Sequence, residues 1–476
     1  MRTWTPEQVA RAAGARLVAP PPAATGPERV VIDSREAGPG SLFVGLQGEN
    51  ADGGRFAPQA LAAGAWGVLT TPQHAEDARC APPGALIAAD DPQKAMQLLA
   101  TAWRRELGSQ VIGVTGSTGK TSTKDLLLAL LSPHRRTVAS RANFNTEIGL
   151  PLEILAAPAG TEVLVLEMAM RGAGQIAELA EIAEPDIAVI VSIGPVHLEM
   201  LGTVEAIAAA KAELLAGLRP GGTAIIPAGE PLLEPHLRSD VRTVTFGEGG
   251  DVRLTRSEDD QVEIDMAGET IVLEVPFAQA HLRRNLLPAV AAARAVGVMP
   301  EGGVALELTA GRGQHLVLPG GATLIDGCYN ANPMSMRAAL EDLVHTGARL
   351  PDPRLVAVLG DMRELGPTAR DYHLELGEEV AQAGVELLVT VGPLAEAIAE
   401  PFEGEVHAVP DAAAAAELVP ELVRPGDVVL VKGSFAVGLQ SVCRALAADT
   451  PPTPGADTPP TRAAETRSTR GAGAHA

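Results

Sequence analysis

Cysteine is scarce in this chain, with Cys80, Cys328 and Cys443 the only three among 476 residues. Three thiols, odd in number and far apart, suggest neither a disulfide framework nor a zinc site, and a reducing, cytoplasmic setting is the expectation. Positive charge is short as well: 37 Lys and Arg face 59 Asp and Glu, a formal net charge of -22. That balance argues against an electrostatic grip on nucleic acid or anionic lipid, since both favour basic surfaces. An anionic substrate must then be caught by a local site. Long apolar runs are missing too, so no membrane-spanning helix is expected, and the opening "MRTWTPEQVARAAGARL" lacks the apolar stretch of a secretory signal.

What the chain does have is length. A single core seldom serves 476 residues, so two or three domains are expected. Residues 1–108 carry short apolar runs ("RVVID", "SLFVGL", "WGVLT") between Gly and Pro turns, the pattern of a small α/β domain. Over 109–312, "VIGVT", "EVLVLEM" and "DIAVIVSI" are continuous apolar runs suited to strands buried on both faces, and 203–218 has helical periodicity. A parallel, helix-covered sheet of the P-loop type is predicted there. The pattern restarts over 313–448 with "ATLID", "RLVAVLG", "ELLVTVG" and "DVVLVKG", a second doubly wound, Rossmann-like domain. The last stretch, 449–476, is rich in Pro and Thr and almost devoid of large apolar side chains, which predicts a disordered tail. The fold class is therefore α/β in three domains.

One short stretch carries chemistry on its face. "GVTGSTGKTSTK" follows the strand-like "VIGVT" and leads into the helical "KTSTKDLLLALL", the strand, glycine loop and helix order of a phosphate-binding loop. Its spacing is unusual: five residues separate Gly113 from Gly119, where the common loop has four between its first glycine and the Gly-Lys pair. Gly116 and Gly119 let backbone N–H groups turn toward phosphate oxygens, Lys120 offers a charge to the β- and γ-phosphates, and the Thr121 hydroxyl can ligate Mg²⁺. The candidate ATP contacts run from Thr115 through Gly116, Ser117, Thr118, Gly119, Lys120, Thr121 and Ser122.

With that displaced glycine, Thr115–Thr121 resembles the TGSxGKT loop of the Mur ligase family, and the resemblance extends over residues 30–445. These are ATP-dependent enzymes that join an amino acid or peptide to a carboxylate on a nucleotide-linked peptidoglycan precursor through an acyl phosphate. The resemblance implies that Glu167 in "EMAM" binds Mg²⁺. It also implies that "VSIGPVHLEMLGTVEAIAAAKAELL" supplies a metal-binding His197 and a Lys211 that CO₂ carbamylates into a second carboxylate ligand. Read alone, His197 is a loop histidine and Lys211 a solvated helix lysine whose ammonium has no lone pair for a metal. "AHLRRNLLPAV" resembles the family segment beside adenine, with His281 and Asn285 matching and Leu282 in place of an asparagine. Arg312 resembles the family arginine near the ATP phosphates, and Asp326 the aspartate near the ribose.

Two further stretches resemble the branch of the family that adds D-alanyl-D-alanine to UDP-N-acetylmuramoyl-tripeptide: "NFNTEIGLP", with Asn143, Asn145 and Thr146, and "YNANPMSM", with Tyr329, Asn330 and Asn332. "LGDMRELG" and "VKGS" agree with that branch. "VIDSREAGPGSLFVGLQGENADGGRF" resembles the segment holding the uridine nucleotide, with Asp33, Ser34 and Arg35 around the diphosphate and residues 1–108 as its domain. Arg55 stands where a His is common and Ser192 where an Asn is frequent. A monomer working in the cytoplasm on small-molecule substrates is implied. Two other readings stay open: another amide ligase of the family, third-residue-adding or folylpolyglutamate-type, and a nucleotide-switched binding protein without ligase chemistry. No residue is assigned as the base for the incoming amine.

Overall fold

The computed structural model describes residues 1–448 apart from 2, 23, 49, 50, 142 and 259, so the expected tail over 449–476 lies outside the described residues. The first sheet holds five strands, Arg16–Ala19, Arg29–Val31, Ser41–Val44, Gly67–Thr70 and Ala85–Ala88. Its spatial order is first, fifth, fourth, third, second, all parallel except the pairing of the first with the fifth. The three longest apolar runs, Ser41–Val44, Gly67–Thr70 and Ala85–Ala88, are buried at every position, as strands covered on both faces should be.

The helix Pro92–Leu107 joins this unit to the next. Asp91 caps it by accepting from the Lys94 N–H, Pro92 stands in the first turn, and Gly108 ends it in the left-handed conformation at φ 64°. Its buried face reaches across the chain: Trp103 Nε1 donates to the Ala157 carbonyl at 3.0 Å, and Gln97 Nε2 to Glu178 at 2.7 Å. Arg104 Nε donates to the Ala183 carbonyl at 2.9 Å. One hydrophobic cluster accordingly runs from Leu42 and Ile87 of the first sheet to Leu164 and Ile190 of the second.

The second sheet has ten strands. Its parallel part places Gln110–Thr115 between Val163–Glu167 and Ile187–Ile190, with Thr137–Ala139 outside one neighbour and Thr223–Pro227 and Arg242–Phe246 beyond the other. The helices Lys120–Leu131 and Ala280–Ala295 pack against each other on one face, over a core that includes Leu126, Leu127, Leu286 and Val189. The sheet does not stop at its parallel part. Val252–Ser257, Gln261–Met266 and Glu269–Glu274 extend it as an antiparallel meander, which the reading of continuous apolar runs did not foresee. Burial alternates along Glu269–Glu274, the sign of a strand with one face on the core and one in water.

The third sheet has six strands, in the order Gln314–Val317, Thr323–Gly327, Val428–Lys432, Leu355–Gly360, Leu387–Val391 and Glu405–Val409. All neighbours are parallel except the first pair. Four of these six match the expected runs, while Gln314–Val317 and Glu405–Val409 lie outside them. Because parallel strands present their carboxyl ends on one side, the loops after Thr115, Glu167 and Ile190 gather at one edge of the second sheet, and those after Gly327 and Lys432 at one edge of the third.

Leu286 is fully buried where the two central helices meet. Leu286→Ala should cost about 2–5 kcal/mol, the range for deleting a core leucine side chain. Urea unfolding followed by far-ultraviolet circular dichroism should show that loss as a lower midpoint, and an unchanged midpoint would contradict this packing.

Candidate active site

The loop between Thr115 and Lys120 is braced from beneath by its neighbouring strand's exit. Ser117 N–H donates to the Ser192 carbonyl at 2.9 Å, Thr118 N–H to Ser192 Oγ at 2.9 Å, and Ser192 Oγ donates back to the Thr118 carbonyl at 3.1 Å. Ser192, a departure from the family pattern, is therefore a structural member of the loop. Gly116 at φ 155° and Gly119 at φ 79° are both in backbone regions that side chains avoid. Space forbids a side chain as well: a Cβ on Gly119 would lie 2.7 Å from Asn285 Oδ1 and 2.8 Å from Val191 Cγ1. The helix Lys120–Leu131 begins on this glycine, with Lys120 Nζ turned back onto the Gly116 carbonyl at 2.7 Å. Thr115 and Ser122 are buried beside the loop.

Glu167 ends the adjacent strand with 1% of its surface exposed. Its two oxygens accept from Thr121 Oγ1 and from Asn145 Nδ2, each at 2.9 Å. No lysine, arginine or histidine among the described residues comes within ion-pair distance of it. A buried carboxylate with only neutral donors carries uncompensated charge and suits a cation. Lys211 sits in the middle of the helix Val204–Ala216 and is 3% exposed, so the solvated-lysine alternative is wrong. Its ammonium makes no hydrogen bond or ion pair among the described residues, and burial, with Lys120 nearby, pushes its pKa well below the ordinary lysine range. Burial also lowers the pKa of Lys120, with Glu167 opposing the shift and Arg312 reinforcing it.

His197, at φ 53°, pairs through Nδ1 with Glu364 of the third sheet's unit. Arg171 is 3.6 Å from the same carboxylate, and the His197 hydrogen bond is the main cause that holds Glu364 below the usual carboxylate range. Nε2 of His197 remains for a ligand. From the third sheet's edge, Arg312 stacks its guanidinium 3.9 Å from the centre of the Tyr329 ring, and Phe435 lies against the other aromatic at 5.7 Å. Burial raises the Tyr329 pKa despite that guanidinium. Asn332 caps the helix Pro333–Gly347 and reaches the Ser117 carbonyl at 3.5 Å, which brings this edge onto the phosphate loop.

The remaining candidates separate into near and far. His281 is partly buried beside Gly313, and burial lowers its pKa. Asn285 is one turn on, against Gly119, while Leu282 between them is fully buried in the core, so no asparagine is missing from the open face. Asp326 accepts the Cys328 N–H at 3.1 Å, and Asn143, Thr146 and Asn330 are exposed. Ser34 and Arg35 stay on the first sheet's unit. Arg35 folds onto Asp33 at 2.5 Å, which lowers the Asp33 pKa, and no bond joins either to the phosphate loop among the described residues. Arg55 lies over the Phe56 ring at 4.8 Å.

Sequence reasoning missed Lys432 and Glu364, although it singled out the stretches that contain them. Lys432 is 7% exposed and donates to the Asn330 carbonyl at 2.8 Å and the Gly327 carbonyl at 3.4 Å, pinning the loop that carries Tyr329. Burial and Arg312 push its pKa down to about 8. The signal that could have found it is a lone lysine closing the apolar run "VVLVK", where a strand end inside a parallel sheet is buried.

Comparison with known proteins accords with this geometry. Residues 28–103 match the Mur ligase family catalytic domain, 114–293 the Mur ligase middle domain, and 311–435 the Mur ligase glutamate ligase domain. The UDP-N-acetylmuramoyl-tripeptide--D-alanyl-D-alanine ligase of Synechocystis sp. is 36% identical over 439 residues, covering 89% of this chain and 92% of the relative. The enzyme of the same name from Bacillus subtilis is 35% identical over 434 residues, covering 88% and 92%. The crystal structure of MurF from Acinetobacter baumannii superposes with a TM-score of 0.82 at 29% identity, over 94% of this chain and 99% of that one. MurF from Thermotoga maritima in complex with ADP gives 0.77 at 29% identity, over 88% and 97%. With its phosphate loop, its buried carboxylate and all three matched segments in one order, this chain belongs to the Mur ligase family.

Proposed function

We propose that the chain is an ATP-dependent ligase that joins D-alanyl-D-alanine to UDP-N-acetylmuramoyl-tripeptide, yielding the pentapeptide precursor, ADP and phosphate. The observation that carries this reading is the docking of the "YNANP" edge onto the phosphate loop, Asn332 to Ser117, in a chain alignable along most of its length with D-alanyl-D-alanine ligases. An oxygen of the tripeptide carboxylate attacks the γ-phosphorus of ATP, the bond to the β,γ-bridging oxygen breaks, and ADP leaves. The acyl phosphate then takes the dipeptide amine at its carbonyl carbon, and phosphate departs from the tetrahedral intermediate as the amine gives up a proton. Two anions must meet in the first step, so fixed positive charge is the chief requirement.

Lys120 and the N–H groups of the loop meet the phosphates at the helix start, and Arg312 adds a second cation from the other edge. Bound Mg²⁺ supplies further neutralisation of the phosphate oxygens, and Thr121, Glu167, His197 and a carbamylated Lys211 are the residues that would hold it. The fit of these residues rests on the unpaired buried carboxylate and on a buried amine without a partner, whose lowered pKa leaves a neutral fraction able to take up CO₂. Glu364 on Nδ1 orients His197 with Nε2 as its ligand atom, the arrangement common for metal-binding histidines. His281, Asn285 and Asp326 take the adenosine; Asn143, Asn145, Thr146, Tyr329, Asn330 and Asn332 take the peptide ends; Ser34 and Arg35 take the uridine diphosphate. The three segments act as substrate, ATP and Rossmann-like domains of a cytoplasmic monomer. Among the described residues no helix is long and apolar enough to cross a membrane.

Purified protein should release phosphate from ATP in step with amide formation only when UDP-N-acetylmuramoyl-tripeptide and D-alanyl-D-alanine are both present. Turnover with glutamate or a single amino acid in place of the dipeptide would assign it to another branch, and ATP binding without amide formation would make it a switch. Gly119→Ala should lower kcat/KM about 100-fold, because the new methyl collides with Asn285 and Val191 and displaces the loop from its phosphate. Unchanged kinetics would remove the loop from the site. Lys211→Ala should lose at least about 100-fold in kcat, with partial recovery on adding short-chain carboxylates that restore an oxygen ligand. A fully active Lys211→Ala enzyme would rule out the carbamate.

A further inference from the structure

Cys328 and Cys443 look unrelated in the sequence, yet the fold brings them together behind the nucleotide edge of the third sheet. Asp326 lies on the strand Thr323–Gly327, Cys328 immediately follows it, and Cys443 projects from the helix Gln440–Leu446. One ligand atom from each, two thiol sulfurs and a carboxylate oxygen, lies within 4.8 Å of the other two. We propose that Asp326, Cys328 and Cys443 form a binding site for a thiophilic divalent cation such as Zn²⁺, separate from the Mg²⁺ ligands at Glu167 and competing with the adenosine for the Asp326 carboxylate.

The chemistry of the donors selects the ion class. Two thiolates and one carboxylate suit zinc or cadmium, whereas magnesium takes an all-oxygen shell. The spacing suits it also: tetrahedral zinc with Zn–S near 2.3 Å sets neighbouring ligand atoms roughly 3.7 Å apart, so the triad needs to contract by about 1 Å at most. The carboxylate is already aimed, because one of its oxygens accepts the Cys328 N–H at 3.1 Å. Gln440 Nε2 holds the helix to the strand end through the Cys328 carbonyl at 3.2 Å. Leu324, Val429 and Val442 cluster with the two thiols on the core side, while the partly exposed Asp326 leaves the fourth vertex to water.

The protein without an ion has a reason to accept one. Two thiols and a carboxylate, three groups able to carry negative charge, crowd one point. No ion pair reaches Asp326 among the described residues. On binding, the two thiol protons pass to solvent and two S–Zn bonds and one O–Zn bond form, with no change of oxidation state.

The test uses the full chain with Cys80→Ala, which removes the exposed thiol, reduced beforehand and freed of chelator. Titration with Cd²⁺ should produce the ultraviolet thiolate-to-cadmium charge-transfer band with an end point of one ion per chain. Zn²⁺ should erase the band, a large excess of Mg²⁺ should leave it, and Zn²⁺ should raise the melting temperature of this protein. Adding Cys443→Ala should abolish the two-thiolate band, and Asp326→Asn should weaken cadmium affinity about tenfold. Absence of the band in the folded Cys80→Ala protein overturns the proposal without reference to any core variant. So does a band that persists with Cys443→Ala.

Discussion

A carboxylate almost without access to water stands at the end of the strand Val163–Glu167, and the surrounding structure is arranged to make that charge tolerable. Thr121 and Asn145 each give one hydrogen bond to Glu167, and Ser140 Oγ accepts its backbone N–H at 3.0 Å. Ser140 is in turn held by Lys124, which donates to its carbonyl at 3.0 Å and pairs with Asp125 at 2.6 Å. Asp125 then accepts from the Thr309 N–H at 3.0 Å. A single line of polar contacts thus runs from the buried acid through the phosphate-loop helix to the end of the second segment. Removing Glu167 would leave Thr121 and Asn145 without their acceptor, whereas leaving it without a cation keeps a charge in low dielectric. The fold therefore has a built-in demand for positive charge at this point.

The proposed catalytic surface is composite because its parts come from two sheets. The central sheet contributes the loop, Glu167 and Lys211, and the third contributes Arg312, Tyr329 and Lys432. Their contact is close: a Cβ at Gly194 would collide with Met334 Sδ, so glycine there permits the approach that Asn332 and Ser117 then fix. His197 and Glu364 form another bond across the same boundary, beside the Glu199 N–H, which donates to the Glu364 carbonyl at 3.1 Å. Substrate bridging the two edges would add to these contacts.

Long periodic segments were legible in the sequence, and sites depending on tertiary burial were not. "KTSTKDLLLALL" reads as a helix and is one from Lys120 to Leu131, because leucines, which lack branching at Cβ, follow a loop glycine. "EVLVLEM" and "DVVLVKG" read as buried strands and are. The meander over 252–274 escaped because its runs are short, charged on one side and half-exposed, so the apolar content that marked the parallel strands is halved. Lys211 reads as a surface residue of a helix whose other positions are largely Ala, Leu and Ile; only the packing of that helix against the sheet reveals that it faces inward. Ser192 looked like a lost contact and is a loop brace. Leu282 looked like one too, and it belongs to the core. The cysteines show the same limit, since chain separation says nothing about two residues on a strand end and a helix that the sheet places side by side.

The strongest physical regularity of the site is repulsion among its cations. Burial lowers the proton affinity of Lys120, Lys211 and Lys432, and Arg312 or another lysine deepens each shift. In a chain whose formal charge is -22, such a cluster cannot come from composition; it is assembled by strand ends that converge from two sheets. Holding like charges together costs free energy in the absence of an anion, and a triphosphate removes that cost when it binds. The same repulsion assigns different states to the lysines. Lys120, whose lowered pKa Glu167 partly opposes, is the proposed fixed positive charge at the helix start. Lys211 has Lys120 near it and no acid of its own, so the neutral amine is the form its surroundings favour. In the proposed carbamylation, the neutral amine is the nucleophile toward CO₂, and the anion so formed would relieve the repulsion that made it neutral.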